Sequence, residues 1–396
     1  MATNNMHTVD NTIVTNKATT ILAIEMLKKS GFVRIGAREY FADQINGSMR
    51  TGKEYDFIKA DAGNVVEGLV ISPRPIDERK VSLKITNFNN SVQADALELV
   101  TDIKWKEEAA KTYAGKLVNA VIRKAVQEAL PKATTCFVGE GFTPLDESIA
   151  HVKSIVNEDI VGFIHPQATA VIRTNGQQFQ PVGTPGLYNG EIGTFDTVKF
   201  NEERFLPAVK IKQGVIDALS GAKAKNITTA DKLSISGVTT AADTVLKAGT
   251  PIWVDGAYAC DTVGDETSIP YAFIVKEDVA LSSTTVDVSI DEVVTDDVGA
   301  RSLNTSALGG KKVSIPASGT YYPAMIRAEG AYCYTPVNTL QFDLSEKRAV
   351  ADVAGLKVFC NSFSDGVSAI NTIRWDAPAM FGTVENRAVS LAYLKK

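Results

Sequence analysis

The stretch KWKEEAAKTYAGKLVNAVIRKAVQEAL, residues 104–130, decides how the rest of this chain can fold. Its apolar residues recur at steps of four, Val118 and Ile122 widen the stripe, and Pro131 follows where the pattern ends. Such a stripe is typical of a helix with one buried face, and proline stops a helix because it lacks an N–H group. The other face carries opposite charges one turn apart, but such pairs contribute only about 0.2–0.5 kcal/mol each. We therefore predict a spine helix that is stabilised by burial against the core.

Two segments precede this helix. Residues 17–30 place apolar side chains on one helical face and are followed by Gly31, which predicts a short amphipathic arm. Between residues 53 and 103 the pattern becomes strand-like, with apolar and polar residues alternating at 81–86 and turn-forming residues at 61–64. We expect a long hairpin there. Because an isolated two-stranded ribbon is marginal in water, the hairpin needs a surface, which is either its own domain or a neighbouring subunit.

The segment after the spine helix alternates between helix and strand. Thr143 and Pro144 form a good helix start, so a helix is predicted over 145–157. A strand at 159–165 and a second helix at 166–173 then complete a mixed α/β layer. Further strands expected to rejoin this main body lie at 355–359, 371–375 and 388–393.

Residues 211–312 differ from the rest of the chain. Short segments rich in Val, Thr and Ser are separated by Gly and Asp, which predicts a small β-barrel or sandwich. Residues 221–300 contain 13 acidic and 5 basic residues, whereas the remainder contains 33 acidic and 36 basic residues. The change in pattern and in charge indicates a small all-β domain inserted into an α+β main body. Its predicted strands are 232–238, 251–254, 272–275 and 285–290.

The composition limits the possible functions. With 396 residues the chain has room for two to three domains of roughly 150 residues each. A net charge of −5 argues against nucleic acid as a specific ligand. No apolar run approaches the ~20 residues that cross a bilayer, and residues 1–20 lack the pattern of a secretory signal. We expect neither membrane insertion nor export.

No catalytic, cofactor-binding or metal-ligating residue can be nominated, and no cofactor is expected. The cysteines lack the spacing of a disulfide framework or a zinc site and are expected to be reduced and mostly buried. The histidines lie too far apart in sequence to form a local metal or catalytic centre. The residues concerned are Cys136, Cys260, Cys333, Cys360, His7, His151 and His165.

Three other sequence features could belong to functional sites, but each is expected to have a structural role. The sequence GGKK at 309–312 lacks the earlier glycine and the Ser or Thr of a phosphate loop, so a connecting loop is expected. Asp261, Asp265 and Glu266 lack the spacing of a calcium loop and are expected to be a solvated acidic loop, with charge pairing between subunits as a further option. His165 is expected to be a packing residue at a strand end. The chain is therefore not expected to be an enzyme, and a hydrolase is the enzymatic alternative.

Two motifs of the main body resemble those of tailed-bacteriophage major capsid proteins with the Hong Kong 97 fold. Residues 188–200, YNGEIGTFDTVKF, with the Leu-Pro pair at 206–207, resemble that family's Gly-x-Ile-Gly turn, strand and Leu-Pro exit. Residues 161–166, VGFIHP, resemble its strand that ends in Asn-Pro, although His165 replaces the usual Asn.

The predicted insert carries motifs of its own. Residues 231–238, DKLSISGV, are similar to a stretch in the coat proteins of short-tailed temperate phages, which also carry an inserted β-domain. Residues 246–252, LKAGTPI, and 271–278, YAFIVKED, resemble phage head-decoration proteins.

The resemblance implies a domain order that covers nearly the whole chain. The parts are an N-terminal arm (1–42), an extended loop (43–103), the spine helix of the P domain (104–131), the first part of the A domain (132–210), the inserted β-barrel-like domain (211–312), and the second part of the A domain with the P-domain return strands (313–396).

The resemblance also implies a function and partners. The chain would form the pentamers and hexamers of an icosahedral head, assembled in the host cytoplasm and found in the virion. Its partners would be further copies of itself, a separate scaffolding protein, a portal protein, possibly a decoration protein, and packaged double-stranded DNA contacted non-specifically, with no membrane. Two alternatives stay open at this point: an encapsulin-like compartment shell of the same fold, and a β-rich surface or fibre protein.

Overall fold

The computed structural model describes residues 4–29, 31–38, 54–60, 78–95, 105–174, 191–229, 231–240, 244–295, 301–337, 347–353, 356–365 and 370–396. The helices within these ranges are α1 (Asn4–Lys29), α2 (Gly31–Arg34), α3 (Trp105–Ala129), α4 (Thr143–Ile155), α5 (Pro166–Thr174) and α6 (Gln213–Leu219). The strands are β1 (Glu54–Ala60), β2 (Glu78–Asp95), β3 (Thr135–Gly139), β4 (Ile160–Ile164), β5 (Glu191–Phe195), β6 (Val198–Glu202), β7 (Val209–Ile211), β8 (Lys223–Thr229), β9 (Lys232–Ser236), β10 (Val245–Leu246), β11 (Pro251–Cys260), β12 (Glu266–Ile274), β13 (Val279–Ala280), β14 (Thr285–Ser289), β15 (Val313–Ser314), β16 (Gly319–Ala328), β17 (Tyr332–Pro336), β18 (Lys347–Val353), β19 (Leu356–Asp365), β20 (Ile370–Thr383) and β21 (Val389–Lys395).

The predicted spine helix is confirmed as α3, which passes into a short 3₁₀ turn at Leu130–Lys132. Its buried stripe follows steps of three and four, because a pure step of four drifts around a helix of 3.6 residues per turn. Tyr113 belongs to the step-of-four pattern but lies off the buried stripe, and it is therefore only half-buried. The buried residues are Ala110, Ala114, Leu117, Val118, Val121, Ile122, Ala125, Val126 and Ala129.

The N-terminal helix α1 is longer than predicted and packs on the body of the protein. It begins at Asn4 rather than at residue 17, because the residues before Lys17 carry no regular apolar stripe that sequence reasoning could use. Leu22 and Met26 are buried in the main hydrophobic core, where α1 contacts α3, β18 and β19.

The first sheet has the strand order β1-β2-β20-β19-β18, and β17 also pairs with β20. The predicted hairpin is present as the antiparallel pair β1–β2, which ends with Ala60 opposite Glu78. Beyond this hairpin, β2 pairs with β20 from Ile85 opposite Met380 to Asp95 opposite Ile370. The base of the hairpin thus lies on its own chain, while the predicted turn at 61–64 lies outside the described residues.

The second sheet has the order β3-β21-β16-β4-β6-β5, with β7 also paired to β16. It contains two parallel pairs, β3–β21 and β4–β6, and its other pairs are antiparallel. The predicted helix, strand and helix are confirmed as α4, β4 and α5. The two sheets and the helices α1 and α3 share one hydrophobic core. The final strand patterns rejoin this body as predicted, with β19 and β20 in the first sheet and β21 in the second.

Residues between β7 and β16 form a separate set of small sheets with their own hydrophobic cluster. The sheets are β10–β13, β12–β11–β15 and β14–β9–β8, and the cluster runs from Val215 to Val313. This β-rich region is not a free appendage. The backbone N–H of Ala272 donates to the carbonyl of Thr134 at 2.8 Å, and the Tyr393 hydroxyl donates to the carbonyl of Gly249.

The cysteine prediction is confirmed, because Cys136, Cys260, Cys333 and Cys360 are all free and buried. In the described part of the chain, no helix is both long enough and apolar enough to span a bilayer.

Candidate functional site

Two of the three histidines are described, and both occupy structural positions. His165 follows β4, stacks on the ring of Tyr322 at 5.1 Å between centroids, and accepts the backbone N–H of Gln167 through Nδ1 at 3.0 Å. It is the packing residue that was predicted. His151 on α4 is 2% exposed, and burial lowers its pKa to about 4. The side chain of His7 lies outside the described residues.

The acidic loop between β11 and β12 satisfies its own backbone donors. The Asp261 carboxylate accepts the N–H groups of Val263 and Asp265, both at 2.9 Å, and Glu266 accepts from Asn304 at 3.1 Å. Among the residues that the structure describes, no group of three or more His, Cys, Asp or Glu side chains is placed to hold a metal ion. The segment 309–312 leads into β15 and is bonded to two strands of the small sheets, because the carbonyls of Lys311 and Lys312 accept the backbone N–H groups of Ala224 on β8 and Asp255 on β11 at 2.9 and 3.0 Å.

A fully buried arginine on β16 was not foreseen from the sequence. The Nη2 group of Arg327 donates to the carbonyls of Phe32 and Ile35 at 2.7 and 2.8 Å, and its guanidinium lies 4.0 Å from the ring centroid of Tyr332. Burial lowers the pKa of Arg327 to about 10, which leaves it charged at neutral pH. This cation joins α2 and the turn after it to the second sheet.

Two carboxylate–arginine pairs stabilise β20 and the turn that follows it. Asp376 is 0% exposed and accepts two-pronged hydrogen bonds from Arg374, with a further bond of 2.8 Å from Asn87 on β2. Glu385 and Arg387 form a second, fully buried pair, with bonds of 2.7 and 3.0 Å. The first pair connects the hairpin strand β2 to the sheet that carries it.

A groove of about 1040 Å³, which we call the spine groove, lies on the surface of the described part of the chain. It lies between the C-terminal half of α3, strand β2, the segment after β6, and the loops at 248–249, 275–277 and 291. Its apolar floor is formed by Leu83, Val126, Leu130, Pro131, Phe205, Pro207, Val275 and Phe381.

Five basic and three acidic residues border the spine groove, which leaves an excess of two positive charges. Lys124 pairs with Glu128 at 2.9 Å, and Lys276 pairs with Asp291 at 3.2 Å. The remaining basic residues are Lys84, Arg123 and Lys132, and the strand pairing sets Lys84 opposite Glu54 on β1. The excess is notable because the chain as a whole has a net charge of −5.

Phe205 forms one wall of the spine groove and is held between two arginines. The guanidinium carbons of Arg123 and Arg204 lie 5.4 and 4.8 Å from its ring centroid, within the range of cation–π attraction. Sequence reasoning did not identify this groove, because its residues come from seven separate segments of the chain.

No protein-family model matches this chain, and no curated protein matches it. Solved structures do. A chain of Mycobacterium phage Che8 is 10% identical, with a TM-score of 0.44 over 90% of this chain and 89% of that one. The acid-stable capsid of Helicobacter pylori bacteriophage KHP30 is 8% identical, with a TM-score of 0.44 over 93% and 91%. A virus-like particle from Pyrococcus furiosus is 8% identical, with a TM-score of 0.41 over 95% and 97%.

All three likenesses have TM-scores below 0.5, so they indicate no function for this chain.

Proposed function

We propose that this chain is the major capsid protein of a tailed bacteriophage, with a Hong Kong 97-type α+β fold and a small β-domain inserted at 211–312. One observation carries the proposal. The chain combines a hairpin that extends beyond the pairing of β2 with β20 and a groove whose shape and charge suit the end of the same hairpin from a second copy.

The hairpin supplies one half of this contact. Strand β2 is bonded to β20 only from Ile85 onward, whereas residues 78–84 pair with β1 alone. The 17 residues at 61–77 connect the two strands, with the sequence DAGNVVEGLVISPRPID. This segment has three acidic residues and one basic residue, and its centre is apolar.

The spine groove supplies the other half. Its apolar floor suits the apolar centre of segment 61–77, and its excess of two positive charges complements the segment's two excess negative charges. Electrostatic complementarity of this kind mainly sets register and partner choice, while burial of apolar surface provides most of the affinity.

A contact between two different surfaces of the same chain is heterologous. Repeated around an axis it closes into a ring, and rings of five and six copies build an icosahedral shell. Each contact can be individually weak because many act together. The role proposed is therefore mechanical rather than catalytic.

The remaining parts of the proposal follow from the family that the motifs resemble. The parts are an arm at 1–42, an extended loop at 43–103, a spine at 104–131, an A domain at 132–210 continued in 313–396, and the insert. The shell would be completed with a scaffolding protein, a portal protein and possibly a decoration protein, would enclose double-stranded DNA, and would assemble in the host cytoplasm.

Charge reversal in the spine groove tests this function. The double variant Lys84→Glu with Arg123→Glu is expected to remain folded but to stop assembly, as judged by electron microscopy and sedimentation. The control changes Lys210 and Lys232 to Glu, since both are exposed and lie outside the groove. Adding Glu67→Lys to the groove variant should restore shells in part.

Three outcomes would count against the proposal. Normal shells from the groove variant would remove the groove from assembly. Fibres formed by the wild-type protein would favour the surface-protein alternative. Particles that contain an enzyme and no nucleic acid would favour an encapsulin-like compartment.

A further inference from the structure

A second cavity, of about 360 Å³, lies beneath the junction between α1 and α2. Phe32, Val118 and Ile122 contribute apolar walls from α2 and α3. The cavity is also lined by two polar side chains at the end of β6, Asn201 and Glu203. They are only 3% and 5% exposed. The cavity therefore combines an apolar wall with a buried carboxyl group.

Glu203 is held in place by its backbone. Its N–H donates to the carbonyl of Ile164 at 2.9 Å, and its Oε1 accepts the N–H of Phe205 at 2.8 Å. Burial raises the pKa of Glu203 to about 7, although the Phe205 N–H and the charge of Arg204 act in the opposite direction. The carboxyl group is thus neutral in mildly acidic solution while it stays in this position.

The charged groups around Glu203 come from two elements. The last turn of α1 places Lys28 and Lys29 on the cavity lining, and both side chains are exposed. The segment of Glu203 itself contributes Glu202 and Arg204. The side chains lining the cavity from α3 and α5 are uncharged, being Val118, Ile122 and Pro166, and burial lowers the pKa of the adjacent His165.

We propose that Glu203 and this cavity form a proton-operated latch, which keeps the α1–α2 junction closed while the carboxyl group is protonated and loosens it on ionisation. A neutral carboxyl group tolerates the apolar walls. An ionised one requires water or a cation, and since Lys28 of α1 is already paired with Glu25 at 2.8 Å, ionisation favours the entry of water beneath the end of that helix. The inference concerns the single subunit and goes beyond the proposed function, because it does not require a shell.

The direction and size of the effect follow from linkage. Once the junction opens and water reaches Glu203, its pKa returns toward the ordinary 4.5, whereas in the closed form it is about 7. Opening is then independent of pH below 4.5, becomes more favourable between pH 4.5 and 7, and levels off above 7. A difference of about 2.5 pKa units corresponds to an increase of at most roughly 300-fold in the opening equilibrium.

Hydrogen exchange of the unassembled subunit, followed by mass spectrometry between pH 5 and 8.5, tests the latch. After correction for the intrinsic pH dependence of exchange, peptides from 18–34 should open more readily as the pH rises. In Glu203→Gln this dependence should disappear, and in the control Glu202→Gln, whose side chain is exposed, it should persist. Glu203→Asp should keep the dependence with a shifted midpoint, which covers the case in which the glutamine variant does not fold.

Either of two results would overturn the latch. One is exchange at 18–34 that does not change with pH in the wild-type subunit. The other is a change that spreads equally to β16 and β21, which would indicate opening of the whole subunit rather than of the junction.

Discussion

A single added methyl group at Gly162 is expected to destabilise the subunit. Gly162 lies on β4, within the motif at 161–166, and pairs with Phe200 on the neighbouring strand β6. A Cβ atom at this position would lie 2.4 Å from Cε1 of Phe200 and 2.5 Å from its Cδ1, well inside ordinary van der Waals contact. The ring cannot swing away freely, because Phe200 is 0% exposed in the main core.

The magnitude follows from two opposing effects. Overpacking of a close-packed core costs about 1–3 kcal/mol. Replacing glycine by alanine in regular structure recovers about 0.5–1 kcal/mol, because the unfolded chain loses freedom. Gly162→Ala should therefore lower the free energy of unfolding by up to about 2.5 kcal/mol, which is measured from the urea midpoint of the unassembled subunit.

A matched glycine provides the control. Gly115 lies inside α3, and a Cβ atom there would meet nothing within 4 Å. Gly115→Ala should raise the free energy of unfolding by up to about 1 kcal/mol, because alanine is the better helix former. Adding Phe200→Leu to Gly162→Ala should recover part of the loss. The reasoning is refuted if Gly162→Ala is as stable as the wild type. It is also refuted if Phe200→Leu lowers the free energy of unfolding of Gly162→Ala by as much as it lowers that of the wild type.

Three further predictions use the same measurement. Tyr393→Phe should cost about 1 kcal/mol, since it removes the hydrogen bond to Gly249 that joins the β-rich region to the last strand, and faster exchange near 249 should accompany it. Arg374→Ala should lower the free energy of unfolding by about 3–5 kcal/mol, because the Asp376 carboxylate stays buried without its arginine. Asp376→Ala should cost less, because the arginine that remains is 30% exposed and water can solvate it. The reverse order would contradict this reasoning. Burial lowers the pKa of His151 from 6.5 to about 4, so the folded protein favours the neutral imidazole. The free energy of unfolding therefore has its full value above pH 6.5 and falls by roughly 3 kcal/mol as the pH decreases toward 4. His151→Leu should remove that part of the acid sensitivity.

Local patterns predicted the elements of the main body well. Helix α3 was predicted because its stripe spans seven turns, and α4 was predicted from Thr143 and Pro144 at its start. The two helix patterns depend on neighbours in sequence, which is why they could be read without a structure. The turn in the motif at 188–200 was placed wrongly: the resemblance assigned it to the Gly-x-Ile-Gly segment at 190–193, where β5 runs, whereas the turn between β5 and β6 lies at Asp196 and Thr197, which take the left-handed conformation.

The groove and the latch could not be predicted in this way. Whether a charged residue is buried depends on what covers it, and the groups that cover Arg327 include Phe32, 295 residues earlier in the chain. Glu203 likewise reads as one of several acidic residues in a polar stretch until α1, α2 and α3 close over it. Neither residue carries a local signal of burial.

Local sequence patterns were sufficient to predict the spine helix, the helix, strand and helix that follow it, and the strand-rich acidic region. Periodicity and composition are properties of short segments, so they survive without tertiary information. The tertiary structure was needed to show that α1 packs on the spine helix, that the buried Glu203 lines a cavity, and that separate segments meet in a basic groove. Those properties arise from the close packing of residues that are far apart in the chain.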